Sequence, residues 1–145
     1  MPGKEGTVFE LEMPAKAKYV SLARLMAASI ARRMNFAEES IDDLKIAISE
    51  MCTNAIVHAG NGLAERPPIT VRYVEGDGFL TVEVRDRGPG FDPGILEQKR
   101  EGVLSKGFGI PLIRSLVDDF ACESHIGHGT VVSITKFLKP ENGKQ

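Results

Sequence analysis

Glu50, Asn54 and His58 recur every four residues inside a segment that otherwise has the composition of a buried helix. At about 100° per residue, the three side chains fall within roughly 80° of one another on an α-helix. Most of the remaining helix surface is apolar, so a carboxylate and an amide there lose hydration unless they gain partners. The usual partners are a metal ion, a nucleotide or a bound water. The spacing leaves two interpretations open, a solvent-exposed polar stripe and a binding site.

Length and composition indicate a single domain spanning residues 1–145, large enough to bury a core without disulfides or structural metal. Its hydrophobic fraction of 42% and charged fraction of 26% are ordinary for a soluble protein. The net charge of −2 shows no excess of positive charge of the kind that favours binding to nucleic acid or an anionic membrane. The polar N-terminus is no signal peptide and no apolar run is long enough to span a bilayer, so we expect a cytoplasmic protein. Cys52 and Cys122 lack metal-ligand or disulfide spacing and are expected to be core residues.

Hydrophobic periodicity predicts the order strand, two helices, two strands, loop, helix, two strands. The predicted strands are 8–13, 69–74, 79–84, 122–126 and 130–137. The predicted helices run from Pro14 to about Asn35, from an N-cap at Ser40 to about Gly60, and from Gly107 to Phe120. In the first helix, helical spacing relates Leu22, Leu25, Met26, Ser29 and Ile30. This order predicts an α+β fold, a two-layer sandwich with helices packed on one face of a mixed, mostly antiparallel sheet, and a frayed tail from about residue 140.

Three glycine-containing segments follow the polar helix. Residues 86–90 end a strand, and their glycines let the backbone pass close to a flat ligand while Asp86 accepts a hydrogen bond from an exocyclic amine, as on adenine. Residues 106–110 begin a helix, whose unpaired N–H groups and dipole favour an anion. Residues 127–130 precede the last strand and offer the hydroxyl of Thr130. Each segment alone is also typical of a plain turn or an ordinary helix start.

In this order and spacing, the four segments resemble the ATPase superfamily of DNA gyrase, the heat-shock chaperone ATPase, histidine kinases and mismatch-repair ATPases. There a Glu-x-x-x-Asn motif supplies the catalytic base and the magnesium ligand, and an Asp-x-Gly-x-Gly loop binds adenine. A glycine pair under a lid binds phosphates, and a late threonine supports the adenine aspartate. The resemblance covers nearly the whole chain and implies a histidine-kinase-like ATPase fold, ATP and Mg²⁺ as cofactors, and a lid at about residues 92–106. The matching positions are Glu50, Asn54, Asp86, Gly88, Gly90, Gly107, Gly109 and Thr130.

A narrower resemblance involves residues 13–16, 19–22, 43–50 and 52–55, which are similar to the bacterial anti-sigma-factor serine kinases of general stress and sporulation. That resemblance implies two activities, sequestration of a sigma factor and phosphorylation of its anti-sigma-factor antagonist on serine. It also implies a homodimer, and it matches Arg24 by position to an arginine that contacts both partners. An exposed helix arginine is the other interpretation of that residue.

The residues themselves fit phosphoryl transfer, which needs mainly positioning and charge neutralisation. Glu50 can take the proton of a serine hydroxyl, and Asn54 can give a neutral oxygen to magnesium. Lys106 can contact the terminal phosphate, and Phe108 lies between the two glycines of the same segment. His58 can contact phosphate or act as a structural histidine near the negative end of the helix dipole.

Two other functions stay open at this point. One is a switch serine kinase of a stress-signalling complex, which phosphorylates a scaffold protein without binding sigma. The other is a nucleotide-gated binding module without useful transfer. Glu50 argues against the binding module, since binding alone needs no base.

Overall fold

The computed structural model describes residues 6–59, 66–88 and 109–139, with the side chains of these residues other than 58 and 59. The strands are β1 (Thr7–Met13), β2 (Ile69–Glu75), β3 (Phe79–Asp86), β4 (Asp119–His125) and β5 (Gly129–Phe137). The helices are α1 (Val20–Arg33), α2 (Glu38–Asn54) and α3 (Ile110–Leu116), with a 3₁₀ turn at Ala17–Tyr19 and a π-helical turn at Ala55–Ala59. Within the described ranges, no helix is long and apolar enough to cross a membrane.

The strands form one sheet in the order β1-β2-β3-β5-β4, with the helices packed on one face. The predicted α+β two-layer sandwich is therefore confirmed. The prediction of a mixed sheet is wrong for the described strands, because every neighbouring pair is antiparallel. Short turns join β2 to β3 and β4 to β5, and such turns can connect only antiparallel neighbours.

Alternation along the central strands decides which polar side chains face the helices. The inward row of β3 is Leu80, Val82 and Val84, and all three are buried. Because side chains alternate with a period of two, the next inward position is Asp86. The same alternation along β5 places Thr130 and Lys136 at the two ends of its buried row. The sheet register thus carries three polar side chains to the edges of the apolar core.

The face of α1 that packs on the core coincides only in part with the residues picked out by helical spacing, since Ile30 is buried and Met26 packs against the core. Leu22 and Leu25 point outward and are 47% and 64% exposed. The buried residues of α1 are Val20, Ala23, Ala27, Ala28, Ile30 and Ala31. These mostly small side chains let α1 pack against α2 and the sheet, and the Tyr73 hydroxyl of β2 donates a hydrogen bond to the carbonyl of Ala23 at 2.8 Å. Alanine contributes little to a hydrophobic pattern. The larger leucines therefore dominated the pattern of this helix, although they are exposed.

The helix boundaries also need correction. α1 begins at Val20 and not at Pro14, because a 3₁₀ turn comes first. α2 begins at Glu38 with Ala37 as N-cap, so the predicted N-cap Ser40 lies inside its first turn. α3 ends at Leu116 and not at Phe120, because Asp118 already bonds to β5 through its backbone N–H and its carboxylate.

Both cysteines are free thiols, as predicted, although only Cys52 is fully buried and Cys122 is half-buried. Burial raises the pKa of Cys52 to about 12 and that of Cys122 to about 11. Both thiols are therefore protonated near neutral pH and behave as small core side chains.

Lys136 connects three elements from its buried position on β5, where it is 7% exposed. Its Nζ donates to the carbonyl of Leu116, the last residue of α3, at 2.7 Å. The same Nζ lies 3.4 Å from Oδ2 of Asp43 on α2. A cation at a helix C-terminus satisfies an orphan carbonyl and favours the helix dipole. Lys136 therefore fixes α3 relative to α2.

We expect Lys136→Met to lower the free energy of unfolding by about 1.5–3 kcal/mol, since it removes a buried charged donor from two partly buried acceptors. Chemical denaturation monitored by circular dichroism measures this change. Lys139→Met is the matched control, because Lys139 is exposed in the same C-terminal segment. Equal stability of the Lys136 and Lys139 variants would contradict the connecting role of Lys136.

Candidate functional site

Asp86 ends β3 as a buried carboxylate, 8% exposed. The backbone N–H of Gly88 donates to its Oδ1 at 2.8 Å, and the backbone amide of Thr130 is a second donor. Burial raises the pKa of Asp86 above its ordinary value, and the two backbone donors partly oppose that rise. A carboxylate has about four lone-pair sites. Asp86 therefore keeps acceptor capacity for a donor group on a ligand, as the adenine amine requires.

Gly129 lets the start of β5 approach Asp86 closely. It has a φ of +88°, and an added Cβ would lie 2.3 Å from the backbone oxygen of Asp86. A side chain at this position would push the two strands apart next to the carboxylate. A hydrogen bond from the His128 N–H to the His125 carbonyl closes a tight turn at residues 125–128, so the turn predicted at residues 127–130 lies two residues earlier and Gly129 and Thr130 belong to β5. The close approach of Gly129 brings Thr130 beside Asp86.

Ser124 is a buried site residue that was not predicted from the sequence. It is 1% exposed, and its Oγ lies 2.7 Å from Oγ1 of Thr130 and 3.3 Å from the carbonyl oxygen of Gly129. Ser124 and Thr130 are paired across the β4–β5 hairpin. The predicted strand boundaries, 122–126 and 130–137, would place Ile126 opposite Thr130, so the observed register with Ser124 could not be read from them.

Glu50 and Gly109 come together at the other end of the site. Glu50 is half-buried on α2, and Gly109 is the N-cap of α3 with a φ of +61°. An added Cβ on Gly109 would lie 2.4 Å from Oε1 of Glu50. The beginning of α3 therefore contacts the carboxylate that was predicted to be the base. Pro111 lies in the first turn of α3, where its missing N–H costs no helix hydrogen bond.

The polar stripe does not continue on one regular helix. α2 ends at Asn54, one turn after Glu50, and the chain then forms the π-helical turn Ala55–Ala59, which contacts β3 and β5. A π turn changes the angular spacing of side chains and is often found at functional sites. The α-helical spacing predicted for the stripe therefore holds for Glu50 and Asn54 but is not kept as far as His58.

Several predicted site residues lie outside the part of the chain that the structure describes. The side chain of His58 and the lid at residues 92–106 belong to this group. The others are Gly90, Lys106, Gly107 and Phe108. Their roles stay predictions.

Arg24 is hydrogen-bonded to α2, the helix that carries Glu50. Its Nη1 donates to Oγ of Ser49 at 3.0 Å, and Ser49 in turn donates to the carbonyl of Lys45 at 2.9 Å. Arg24 is half-buried between α1 and α2. The alternative interpretation of Arg24 as a simply exposed helix arginine is therefore wrong, and the guanidinium is held one residue away from Glu50.

No cluster of three or more His, Cys, Asp or Glu residues among residues 6–59, 66–88 and 109–139 is arranged to hold a metal ion. Magnesium in nucleotide sites usually takes one or two protein oxygens and completes its shell with phosphates and water. The half-buried Asn54 can supply one such oxygen. The donor set therefore fits a magnesium ion that arrives with a nucleotide.

Comparison with known proteins identifies the family. The sequence model of the histidine kinase-like ATPase domain matches residues 13–136. The chain is 35% identical to the serine-protein kinase RsbW of Bacillus pumilus, over 92% of this chain and 88% of the relative. It is 39% identical to the serine-protein kinase RsbW of Listeria monocytogenes, over 88% of this chain and 85% of the relative.

Two solved structures share the fold. The RsbU and RsbW domains of a Mycobacterium tuberculosis protein superpose with a TM-score of 0.68 at 20% identity, covering 92% of this chain and 33% of that one. The histidine kinase domain of an Erythrobacter litoralis blue-light-activated kinase gives 0.58 at 24% identity, covering 86% and 61%. The predicted resemblance is confirmed: the chain belongs to the histidine kinase-like ATPase family and, within it, to the RsbW serine-protein kinases.

Proposed function

We propose that this chain is an ATP-dependent anti-sigma factor, which sequesters a sigma factor and phosphorylates its antagonist on serine. The observation that carries the proposal is the contact between Glu50 and Gly109, since it joins a carboxylate to the start of the helix that follows the predicted phosphate segment. The relatives named serine-protein kinase RsbW support serine as the acceptor. A homodimer stays a prediction from the family resemblance.

The buried end of the site suits the base of ATP. Asp86 can accept a hydrogen bond from the 6-amino group of adenine, because its two backbone donors leave lone pairs unused. Gly88 is buried at the turn that follows, so the backbone can approach a flat ring without a side chain between them. Thr130 borders the same carboxylate from β5.

The other end suits the transfer step. ATP supplies the phosphoryl group, and Mg²⁺ neutralises phosphate charge. Glu50 would take up the proton of the incoming serine hydroxyl as that oxygen bonds to the γ-phosphorus and the bond from phosphorus to the departing ADP breaks. Asn54, one helical turn later, offers its side-chain oxygen to the metal. Gly109 leaves room for the Glu50 carboxylate at the start of α3.

Arg24 is proposed to contact the protein partners. Its hydrogen bond to Ser49 holds the guanidinium at the α1–α2 junction, and the next residue of α1, Leu25, is exposed. Arginine is one of the residue types enriched in interface hot spots, and one held in place by a hydrogen bond loses less side-chain freedom on binding. Since Ser49 precedes Glu50, partner contact at Arg24 would lie close to the transfer site.

Glu50→Gln should retain nucleotide binding and lower the rate of phosphotransfer by about 10²–10⁴-fold, because glutamine keeps the size of the side chain but cannot take up the proton. Phosphate transfer to candidate antagonist proteins and nucleotide affinity are measured in parallel. Glu39→Gln is the matched control, since Glu39 is an exposed glutamate on the same helix. Wild-type transfer by Glu50→Gln would remove Glu50 from the role of base.

Arg24→Ala should weaken capture of sigma and antagonist by about tenfold or more while nucleotide affinity is unchanged. Binding of the purified variant to candidate sigma factors and antagonists, immobilised on a biosensor, measures the loss. Arg32→Ala removes an exposed arginine two turns further along α1 and should leave capture intact. Capture by Arg24→Ala at wild-type strength would reject this surface, and transfer without any sigma binding would favour the switch kinase.

A further inference from the structure

Lys136 is a buried charged side chain that lies far from the proposed base pocket. On β5 it is six residues from Thr130, which is roughly 20 Å along an extended strand. Burying an ammonium group is unfavourable unless the group is paired and hydrogen-bonded. The Lys136 Nζ donates to the carbonyl of Leu116 at 2.7 Å and lies 3.4 Å from Oδ2 of Asp43. These two partners indicate what the buried charge does.

Contacts at both ends of α3 show how this helix lies on α2. At its N-terminal end, Gly109 is so close to the Glu50 carboxylate that an added Cβ would collide with Oε1. At its C-terminal end, the carbonyl of Leu116 shares the Lys136 ammonium group with the Asp43 carboxylate. Since Glu50 comes after Asp43 along α2, the two helices run antiparallel.

The spacing of these contacts is the same on both helices. Asp43 and Glu50 are seven residues apart, and so are Gly109 and Leu116. Seven residues span roughly 10 Å at about 1.5 Å per residue, and they make about two turns. Asp43 and Glu50 therefore project from one face of α2. The Lys136 bridge and the Glu50–Gly109 contact thus hold the two ends of one matched helix pair.

α3 is too short to set this register alone. It has seven residues, and isolated helices shorter than about 12–15 residues are marginal in water. Ile113 is buried at its middle, but apolar contact is non-directional and does not by itself fix a register. Asp118 is bonded to β5 through its N–H and its carboxylate, which fixes the exit of α3 on the sheet. Lys136 adds the link from that exit to α2.

We propose that Lys136 is a positioning residue for phosphoryl transfer: by bridging Leu116 and Asp43, it sets the register in which α3 meets Glu50. The inference rests on the proposed kinase function. Lys136 acts through α3, and the group whose placement it determines is the Glu50 carboxylate. Misplacing a reacting group by about 1 Å can lower a rate by about 10²-fold. Loss of the bridge should therefore be seen in the transfer step.

The test is a double-mutant cycle of Lys136→Met and Glu50→Gln. Phosphate transfer to the antagonist protein is measured at saturating Mg-ATP and antagonist, so that changes in affinity do not enter, and rates are corrected for the folded fraction. We expect Lys136→Met alone to lower the transfer rate by about tenfold or more. In the Glu50→Gln background it should change the rate by less than about twofold, because the group that it misplaces is already absent. A purely structural role would lower the rate by the same factor in both backgrounds.

Thr135→Val is the matched control. Thr135 precedes Lys136 on β5 and faces the other side of the sheet, where its Oγ1 lies 2.8 Å from Oγ1 of Thr81. The variant loses a hydroxyl pair of the same strand away from α3, so its transfer rate should equal that of the wild type.

Asp43→Asn is the second variant, and it replaces Lys136→Met in the cycle if that protein does not fold. It keeps the donation from Lys136 to Leu116 and weakens the link to α2. We expect a smaller loss of transfer rate, about threefold, which likewise disappears in the Glu50→Gln background.

An unchanged rate in the folded variant, an equal loss in both backgrounds, or an equal loss in Thr135→Val overturns the positioning role of Lys136. Absence of transfer by the wild-type chain overturns the proposed function itself. The two failures are distinguishable, since only the second is seen without any substitution.

Discussion

Desolvation of the Asp86 carboxylate is the constraint on which the rest of the site depends. A buried carboxylate is unfavourable, and its raised pKa reflects that cost. The backbone donors of Gly88 and Thr130 offset part of it, and the close approach of Gly129 makes the second donor available. The antiparallel register of β3 and β5 brings these groups together. A ligand amine that donates a hydrogen bond to Asp86 would therefore use an acceptor that the fold already holds in place.

The second half of the site is held by helix packing. α2 carries Glu50 and Asn54, and α3 begins against Glu50 at Gly109. Lys136 contacts both helices from β5, so the sheet that positions Asp86 also sets the distance between α2 and α3. The proposed base-binding end and the proposed transfer end are thus built on one continuous framework. Arg24 extends this framework to the α1 surface through Ser49.

Local patterns predicted much of the fold, and pairing across strands explains most of what they missed. The alternation of β2 and β3 and the four-residue spacing of Glu50 and Asn54 are short-range signals, and both were predicted. Ser124 meets Thr130 only through the pairing of β4 with β5, which periodicity within β4 does not reveal. The core face of α1 consists mainly of alanines, whose signal was weaker than that of the outward leucines. The π turn after Asn54 likewise has no pattern distinct from that of a buried helix.

Calorimetric titration with Mg-ATP of the wild-type chain and of Asp86→Asn tests the central claim most directly. The account predicts saturable binding of one ATP per chain and a loss of affinity of about tenfold or more in the variant, since a charge-assisted hydrogen bond to the base is removed. Equal affinity of the two proteins, or no binding by the wild type, would contradict it.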